Sequence, residues 1–89
     1  MRSLTTLRFR ELLEAAPATV RERANAAYEL WTANPSHPSL RFKKVHATLP
    51  IYSVRIDLDW RAVGVMRESE IVWFWIGPHR EYEKVLAKL

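Results

Sequence analysis

An uninterrupted apolar segment near the end of the chain constrains its fold more than any other feature. Six apolar residues, three of them aromatic, run from Ile71 to Ile76. In a strand, neighbouring side chains point to opposite faces, which would place Ile71, Trp73 and Trp75 on one face. Because such a strand is apolar on both faces, it must be covered on both, and it is predicted to be an inner strand. The glycine and proline that follow are expected to end it.

Length and composition predict one globular domain over residues 1–89. Hydrophobic residues make up 48% of the chain and aromatic residues 11%, which is typical of a folded protein. With no cysteine, neither disulfides nor a thiolate zinc site are expected, and a cytoplasmic location is the simplest prediction. No apolar segment approaches the roughly 20 residues that cross a bilayer, so no membrane contact is expected. The spacing of His37 and His46 does not indicate a metal site, and no cofactor is predicted.

The charge of the chain indicates an acidic partner. Ten arginines and four lysines contribute to a formal net charge of +4. The planar guanidinium group of arginine suits phosphate and carboxylate groups. The excess positive charge therefore points to nucleic acid or to an acidic protein, and it does not choose between them.

Two helices are predicted in the first third of the chain. Apolar residues recur at helical spacing from Phe9 to Ala16, and Pro17 marks the end of this helix. Its start is expected to be capped by one of three hydroxyl residues: Ser3, Thr5 or Thr6. The second helix begins at Pro17 or at a capping box over residues 19–22. Its apolar stripe consists of Val20, Ala24, Ala27, Tyr28 and Trp31.

Strands are predicted for the second half of the chain, after a loop with two prolines at residues 34–38. They are an irregular strand at residues 40–46, two regular strands at 51–57 and 60–67, and the apolar strand. Residues 81–89 are predicted to form a short helix with four inward residues: Tyr82, Val85, Leu86 and Leu89. This order predicts an α+β fold, in which an N-terminal helix pair packs on a three- to four-stranded antiparallel sheet and a short helix follows.

The order of elements and its motifs resemble the RelE/ParE superfamily of bacterial toxins from type II toxin–antitoxin modules. Five segments carry the resemblance: Phe9-Arg-Glu-Leu-Leu13, Asn34 to Lys44, Tyr52-Ser-Val-Arg-Ile56, Trp60-Arg61 and Ile76-Gly-Pro-His-Arg-Glu-Tyr82. Trp60-Arg61 is similar to an aromatic–arginine pair of the family. The last segment is similar to its strand end, where a glycine is followed by a basic or histidine residue.

The resemblance implies a toxic activity and a protein partner. Members of the superfamily cleave mRNA, usually on the ribosome, or poison DNA gyrase, and a cognate antitoxin neutralises them. The expected partners are therefore an antitoxin together with mRNA and the ribosome, or alternatively gyrase. Two positions depart from the pattern of the nucleases. His79 stands where they have an arginine, and Val85 stands where they have a tyrosine, for which Tyr82 is the candidate here.

Three residues are candidates for catalysis of RNA cleavage: Arg61, His79 and Tyr82. Cleavage without a metal needs a base for the 2′-OH proton, cations for the phosphate charge and an acid for the departing 5′-oxygen. His79 suits a proton transfer because histidine is poised near pH 7, although it can instead cap or pack against the last helix. Arg61 suits the phosphate. Tyr82 can stack on a base or donate a proton, but its helical spacing also fits a core residue.

Five further cations are candidates for contacting nucleic acid: Arg41, Lys43, Lys44, Arg55 and Arg67. If the polar faces of two neighbouring strands coincide, Arg55 and Arg67 converge with Arg61 in one concavity. The alternative is that these arginines are solvated and partly paired with acidic residues of the turns. The lysines can follow a nucleic-acid backbone or protect an edge strand from aggregation. The four tryptophans are expected in the core.

Three functional hypotheses follow. The first is an mRNA-cleaving toxin that acts on the ribosome, with Arg61 and His79 central. The second is a gyrase inhibitor of the same fold without catalytic residues. The third is an interaction domain whose basic face binds an acidic partner. The titratable residues from His79 to Tyr82 favour the first hypothesis.

Overall fold

The helices and strands follow the predicted order, with one additional strand at the start. A computed structural model describes residues 1–89. Its elements are β1 (Arg2–Thr5), α1 (Leu7–Ala15), α2 (Ala18–Ala33), β2 (Lys43–Lys44), β3 (Ile51–Arg55), β4 (Trp60–Arg67), β5 (Glu70–Pro78) and α3 (His79–Ala87). A 3₁₀ turn, Pro38–Leu40, precedes β2. The predicted α+β class is confirmed. None of the helices combines the length and the apolar character needed to cross a membrane.

The sheet has five strands in the order β1-β5-β4-β3-β2, not the three or four that were predicted. Strands β2 to β5 are antiparallel as expected, and β1 lies parallel to β5. The prediction missed β1 because its residues are mostly exposed and show no apolar alternation. The strand depends on pairing with a distant part of the chain, where Thr5 lies beside Trp73.

The helix pair has a tight joint, as predicted. Thr6 caps α1, because its Oγ1 accepts a hydrogen bond from the Phe9 N–H at 3.1 Å. The helix ends before Pro17. No side chain caps α2, so the expected capping box at residues 19–22 is wrong. Instead, the Pro17 carbonyl accepts the N–H groups of Val20 and Arg21, both at 3.0 Å.

Trp31 in α2 and Trp73 in β5 form the centre of the core between the helix pair and the sheet. Only 2% and 4% of their surfaces are exposed. Their ring centroids lie 5.6 Å apart with the planes at 79°, an edge-to-face arrangement that aromatic pairs prefer. The small residues of the α2 stripe are buried with them, whereas Tyr28, which was predicted to point inward, is 47% exposed. Trp60 is half-buried and packs against this core, whereas Trp75 is half-buried outside it, so the expectation of four core tryptophans is wrong for Trp75 alone.

A β-bulge in β5 changes which residues of the apolar strand face the core. On β4, Gly64 pairs with Trp73 and its neighbour Val63 pairs with Trp75. Phe74 therefore has no partner on β4 and is the extra residue of the bulge. An extra residue reverses the alternation of faces from that point onward. The core face therefore carries Ile71, Trp73 and Ile76. Trp75 points to the opposite side, contrary to the prediction from strict alternation.

Strand β5 continues to Pro78, past the glycine and proline that were expected to end it, and Pro78 lies opposite Trp60. Because β1 stops beside Trp73, the last residues of β5 form an edge of the sheet, where a proline is tolerated. The next residue, His79, begins α3 earlier than predicted. Three of its predicted inward residues are half-buried: Tyr82, Val85 and Leu86. Leu89 lies outside the helix and is 43% exposed, which corrects its predicted inward position.

Candidate functional site

Arg55 and Arg61 occupy directly opposite positions on β3 and β4, and Gly77 of β5 lies opposite Arg61 in the same row. Directly opposite residues of antiparallel strands point to the same side of the sheet. The helix pair covers the other side. We call the side with Arg55 the α3 face, because Tyr82 of α3 donates a hydrogen bond to Ser53, two positions before Arg55 on β3. The structure thus brings these two arginines together.

Arg67 does not belong to this cluster. It lies on the same side of β4 as Arg61, but about 20 Å further along the strand at roughly 3.3 Å per residue. There it is opposite Glu70, at the hairpin to β5. The expected convergence of three arginines fails for Arg67, because a shared face does not bring together residues at the two ends of a long strand.

The guanidinium group of Arg61 is partly buried and held by the β3–β4 turn. Its Nη1 donates hydrogen bonds to the carbonyl oxygens of Asp57 at 2.7 Å and Trp60 at 3.0 Å. Burial lowers the pKa of Arg61, and the positive charges of Arg55 and, more weakly, Arg41 lower it further. Since arginine stays protonated at biological pH, the lowered pKa marks a cation that its surroundings do not neutralise. Such a cation gains from binding an anion.

The nearby carboxylate of Asp57 is engaged elsewhere. Its Oδ1 accepts two backbone N–H groups of the β3–β4 turn, at 2.8 and 2.9 Å. Its Oδ2 accepts a hydrogen bond from Arg23 on α2 at 3.1 Å. Neither Arg55 nor Arg61 forms an ion pair with any carboxylate of the chain. The alternative in which these arginines are paired with acidic turn residues therefore does not describe the structure.

His79 and Tyr82 lie at the start of α3 with their ring centroids 5.6 Å apart. The backbone N–H of His79 donates to the Asp59 carbonyl, which ties the start of α3 to the β3–β4 turn. The His79 side chain is exposed and does not cap the helix. The Tyr82 hydroxyl donates to Ser53 Oγ at 3.1 Å, within a part of the α3 face where Ser53 is only 3% exposed. The start of α3 thus lies at the same end of the sheet as Arg55, Arg61 and Gly77, which we call the arginine row.

The other basic candidates extend the positive charge toward the edge strand β2. Lys43 lies opposite Ser53 and therefore on the α3 face, whereas Lys44, one residue further, points to the opposite side. Arg41 ends the 3₁₀ turn in a left-handed conformation with φ of 46° and acts electrostatically on Arg61. Lys43 thus lies on the same face as the arginine row, and Arg41 precedes it by two residues. Both lysines are exposed on an edge strand, which also fits protection against aggregation.

The remaining histidines stabilise local turns. Nδ1 of His37 accepts the N–H of Ser39 at 3.2 Å, and Nδ1 of His46 accepts the N–H of Leu49 at 3.0 Å. The chain has no group of three or more histidine, cysteine, aspartate or glutamate side chains placed to hold a metal ion.

Sequence reasoning missed two side chains that shape the α3 face. Asp57 was considered only as a partner for the arginines, although Asp-Leu-Asp-Trp after a strand is typical of a turn closed by the aspartate side chain. Trp75 was assigned to the core, and no local signal in the apolar run could have shown the bulge. The α3 face thus carries the unpaired guanidinium groups of Arg55 and Arg61 and the half-buried ring of Trp75, and the exposed His79 starts the adjoining helix. Cations and aromatic rings together suit a ligand that contains phosphates and bases.

The chain resembles solved structures over nearly its whole length, among them the following three. The RelB–RelE antitoxin–toxin complex from Methanococcus jannaschii has a TM-score of 0.74 and 17% identity, covering 92% of this chain and 96% of that chain. YafQ from Escherichia coli strain BL21(DE3) has a TM-score of 0.70 and 11% identity, covering 92% and 98%. The YoeB/ParE toxin from Agrobacterium tumefaciens has a TM-score of 0.70 and 18% identity, covering 89% and 99%. At these identities the likeness shows the fold.

Sequence comparison identifies the family. No curated protein matches the chain. The family model of the ParE-like toxin domain matches residues 18–84, well over half of the chain and including every element from α2 to most of α3. The matched range contains the arginine row and the start of α3 described above. The chain therefore belongs to the ParE-like toxin domain family and has the fold of the RelE, YafQ and YoeB toxins.

Proposed function

We propose that this protein is the toxin of a type II toxin–antitoxin module and that it represses translation by cleaving mRNA on the ribosome. The observation that carries the proposal is the Arg55–Arg61 pair, which has no carboxylate partner and lies at the end of the sheet where α3 starts with the exposed His79. Like charges directly opposite each other destabilise a sheet. Such a local cost is expected where a phosphate completes the site.

The proposed reaction needs no metal. The 2′-oxygen of a ribose attacks the adjacent phosphorus and the bond from phosphorus to the 5′-oxygen breaks, leaving a 2′,3′-cyclic phosphate and a 5′-hydroxyl. One proton leaves the 2′-OH and one is delivered to the 5′-oxygen. His79 carries one of these transfers, with Tyr82 as the second candidate. Arg61 and Arg55 stabilise the negative charge that builds on the phosphate.

The basic residues outside the row bind the RNA backbone. Lys43 on the face of the arginine row and Arg41, two residues before it, hold neighbouring phosphates through salt-dependent attraction. Lys44 contributes less, because it points to the other side of the sheet. Arg67 contributes least, because of its distance from the row.

We infer that an antitoxin neutralises the toxin by binding it, as in the RelB–RelE complex to which its fold is similar. Both act in the cytoplasm, where mRNA and ribosomes are found. The antitoxin is expected to be encoded directly beside this chain.

Inducible expression in a bacterial host tests the proposal. Growth should stop, incorporation of labelled methionine should fall before that of thymidine, and new RNA ends should map within translated messages. Co-expression of the antitoxin should restore growth. Arg61→Ala should remove the effect, and Arg67→Ala, on the same side of the same strand, should retain it.

Two outcomes would support another function. If thymidine incorporation falls first, DNA-damage signalling rises and RNA stays intact, the protein inhibits gyrase. If growth is normal while a blot detects the chain in the soluble fraction, the basic face serves only to bind a partner.

A further inference from the structure

The bulge at Phe74 moves one tryptophan from the core to the α3 face. Under strict alternation, Trp75 would lie on the side of Ile71 and Trp73, against the helix pair. The extra residue turns it to the opposite side, where it pairs with Val63. Bulges are common next to functional sites, where they redirect a side chain.

The indole of Trp75 adjoins the arginine row. Its six-membered ring lies over Gly77, since a Cβ at position 77 would be 2.5 Å from Cζ2 and 2.8 Å from Cη2. Gly77 is directly opposite Arg61. Trp75 and Arg61 are therefore diagonal neighbours on one face, at a typical Cα separation of about 7–8 Å that long side chains span.

The surroundings of Trp75 leave part of its ring accessible. Trp31 and Trp73 are almost fully buried, with indole N–H groups that are enclosed and unpartnered. Trp75 is half-buried, and its N–H makes no hydrogen bond within the chain but is not enclosed. Strand β1 ends beside Trp73, so no strand covers β5 on the far side of Trp75. An accessible indole next to unneutralised guanidinium groups matches the combination with which proteins bind single-stranded nucleic acid.

We propose that Trp75 is a base-stacking residue, which holds the base of a nucleotide next to the phosphate bound by Arg61 and Arg55. This inference rests on the proposed function for the choice of RNA as ligand. Stacking on an aromatic ring accepts any base, because every base has a π-face. Trp75 thus contributes to affinity for single-stranded RNA without reading its sequence, and it places the sugar next to the arginines.

Binding of a short oligouridylate to the full-length chain tests the proposal. All proteins carry His79→Ala so that the RNA stays intact, and fluorescence anisotropy of labelled RNA measures affinity. Trp75→Leu should weaken binding by roughly five- to hundred-fold, the range expected for loss of one base–aromatic stack. Trp75→Phe should weaken it less, because phenylalanine keeps a smaller π-face. Trp60→Phe, which alters the other half-buried tryptophan, should bind as the parent does.

Intrinsic tryptophan fluorescence gives a second measure of stacking, and Trp75→Phe is the informative variant because it keeps an aromatic ring. RNA should quench tryptophan emission in the parent and in Trp60→Phe, and the quenching should disappear in Trp75→Phe. Thermal melts of every variant show whether a weaker affinity merely follows lost stability. The proposal is overturned if Trp75→Leu binds as the parent does, if quenching persists in Trp75→Phe, or if the loss of affinity follows the melting temperature.

Adding Arg61→Ala to the binding series, and expressing the chain with His79 intact in a bacterial host, separates this inference from the proposed function. Binding that depends on Arg61 and not on Trp75 rejects the stacking role alone. Binding that depends on Trp75 in a chain that neither cleaves RNA nor stops translation supports stacking and rejects the nuclease. No binding by the parent, even at low salt, rejects the stacking role.

Discussion

Arg55 and Arg61 lie directly opposite each other on neighbouring strands, and neither guanidinium group has a carboxylate partner. A pair of like charges in this position opposes folding. The pair therefore lowers the stability of the sheet. We expect it to serve function instead, because the row it belongs to reaches Gly77, two residues before α3.

The first prediction is that Arg55→Thr stabilises the fold while it weakens the toxin. Relief of a like-charge pair contributes about 0.2–1 kcal/mol, and the Arg55 side chain makes only one long hydrogen bond, 3.4 Å to the Asp57 carbonyl. For a domain of this size that corresponds to a rise of a few degrees in melting temperature, at roughly 4–8 °C per kcal/mol. The control is Arg67→Thr, which loses a favourable position opposite Glu70 and should melt slightly lower. The difference in melting temperature between Arg55→Thr and the parent should shrink in high salt. An Arg55→Thr variant that melts below the parent would contradict the like-charge argument.

The second prediction concerns the geometry of Arg61. Arg61→Ala should reduce RNA cleavage by about 10²–10³-fold, as loss of a charge-stabilising donor does. It should also destabilise the fold by about 1 kcal/mol, because the Asp57 carbonyl loses its 2.7 Å hydrogen bond, while the Trp60 carbonyl keeps its backbone donor Ile56. Arg61→Lys keeps the charge but cannot reach these carbonyls and a phosphate at once, so it should recover only part of the activity. Full activity in Arg61→Lys would show that charge alone is needed.

The third prediction is that His79→Ala reduces cleavage by about 10²–10⁴-fold, the usual effect of losing a general acid or base. Stability should stay unchanged, since the side chain is exposed and makes no hydrogen bond. Arg80→Ala, at the next and equally exposed position, serves as the control. Mapped RNA ends and growth arrest measure the effect. If His79→Ala still cleaves at the parent rate, the proton transfer belongs to another group, and Tyr82 is the next candidate.

The fourth prediction separates the two possible roles of Tyr82. Tyr82→Phe and Ser53→Ala remove the same hydrogen bond from opposite ends, at an expected cost of about 0.5–1.5 kcal/mol each. Only Tyr82→Phe removes the phenolic hydroxyl, which is the candidate for proton transfer. We therefore expect similar melting temperatures, with cleavage reduced in Tyr82→Phe alone. Equal cleavage in both variants would assign Tyr82 a purely structural role.

The features that sequence reasoning predicted correctly depend on neighbouring residues. Helical spacing and the proline at position 17 located the helix pair, and alternation located β4 between Trp60 and Arg67 as observed. The same alternation assigned Arg55 and Arg61 to the polar faces of their strands, and the register of β3 and β4 shows that these faces coincide. The position of His79 just beyond a strand end likewise follows from the apolar run before it.

The features that sequence reasoning missed depend on contacts between segments far apart in the chain. Strand β1 exists only through its pairing with β5, which follows far along the chain. The bulge at Phe74 is visible only in the register between β4 and β5. Arg23 lies 34 residues before Asp57, so no local pattern shows that it engages this carboxylate and leaves the arginine row unpaired.

The last prediction uses two glycines of the sheet to test the position of Trp75. Gly77→Ala would place a Cβ 2.5 Å from the Trp75 ring, which must then move away from its place beside Arg61. We expect a destabilisation of about 1–3 kcal/mol and a loss of affinity for single-stranded RNA similar to that of Trp75→Leu. The double variant Gly77→Ala/Trp75→Leu should recover most of the stability, because the obstructing ring is gone.

Gly64→Ala is the matched control on the core face, since its Cβ would lie 2.9 Å from both Ile71 and Trp73. Those side chains are buried in the core, where Ile71 is fully enclosed and Trp73 packs edge-on against Trp31. Gly64→Ala should therefore destabilise the fold to a similar degree, and Trp75→Leu should not restore it. Denaturant unfolding of the parent, the three single variants and the two double variants measures both couplings. If Gly77→Ala is as stable as the parent, or if Trp75→Leu rescues both glycine variants equally, Trp75 does not lie over Gly77 in solution.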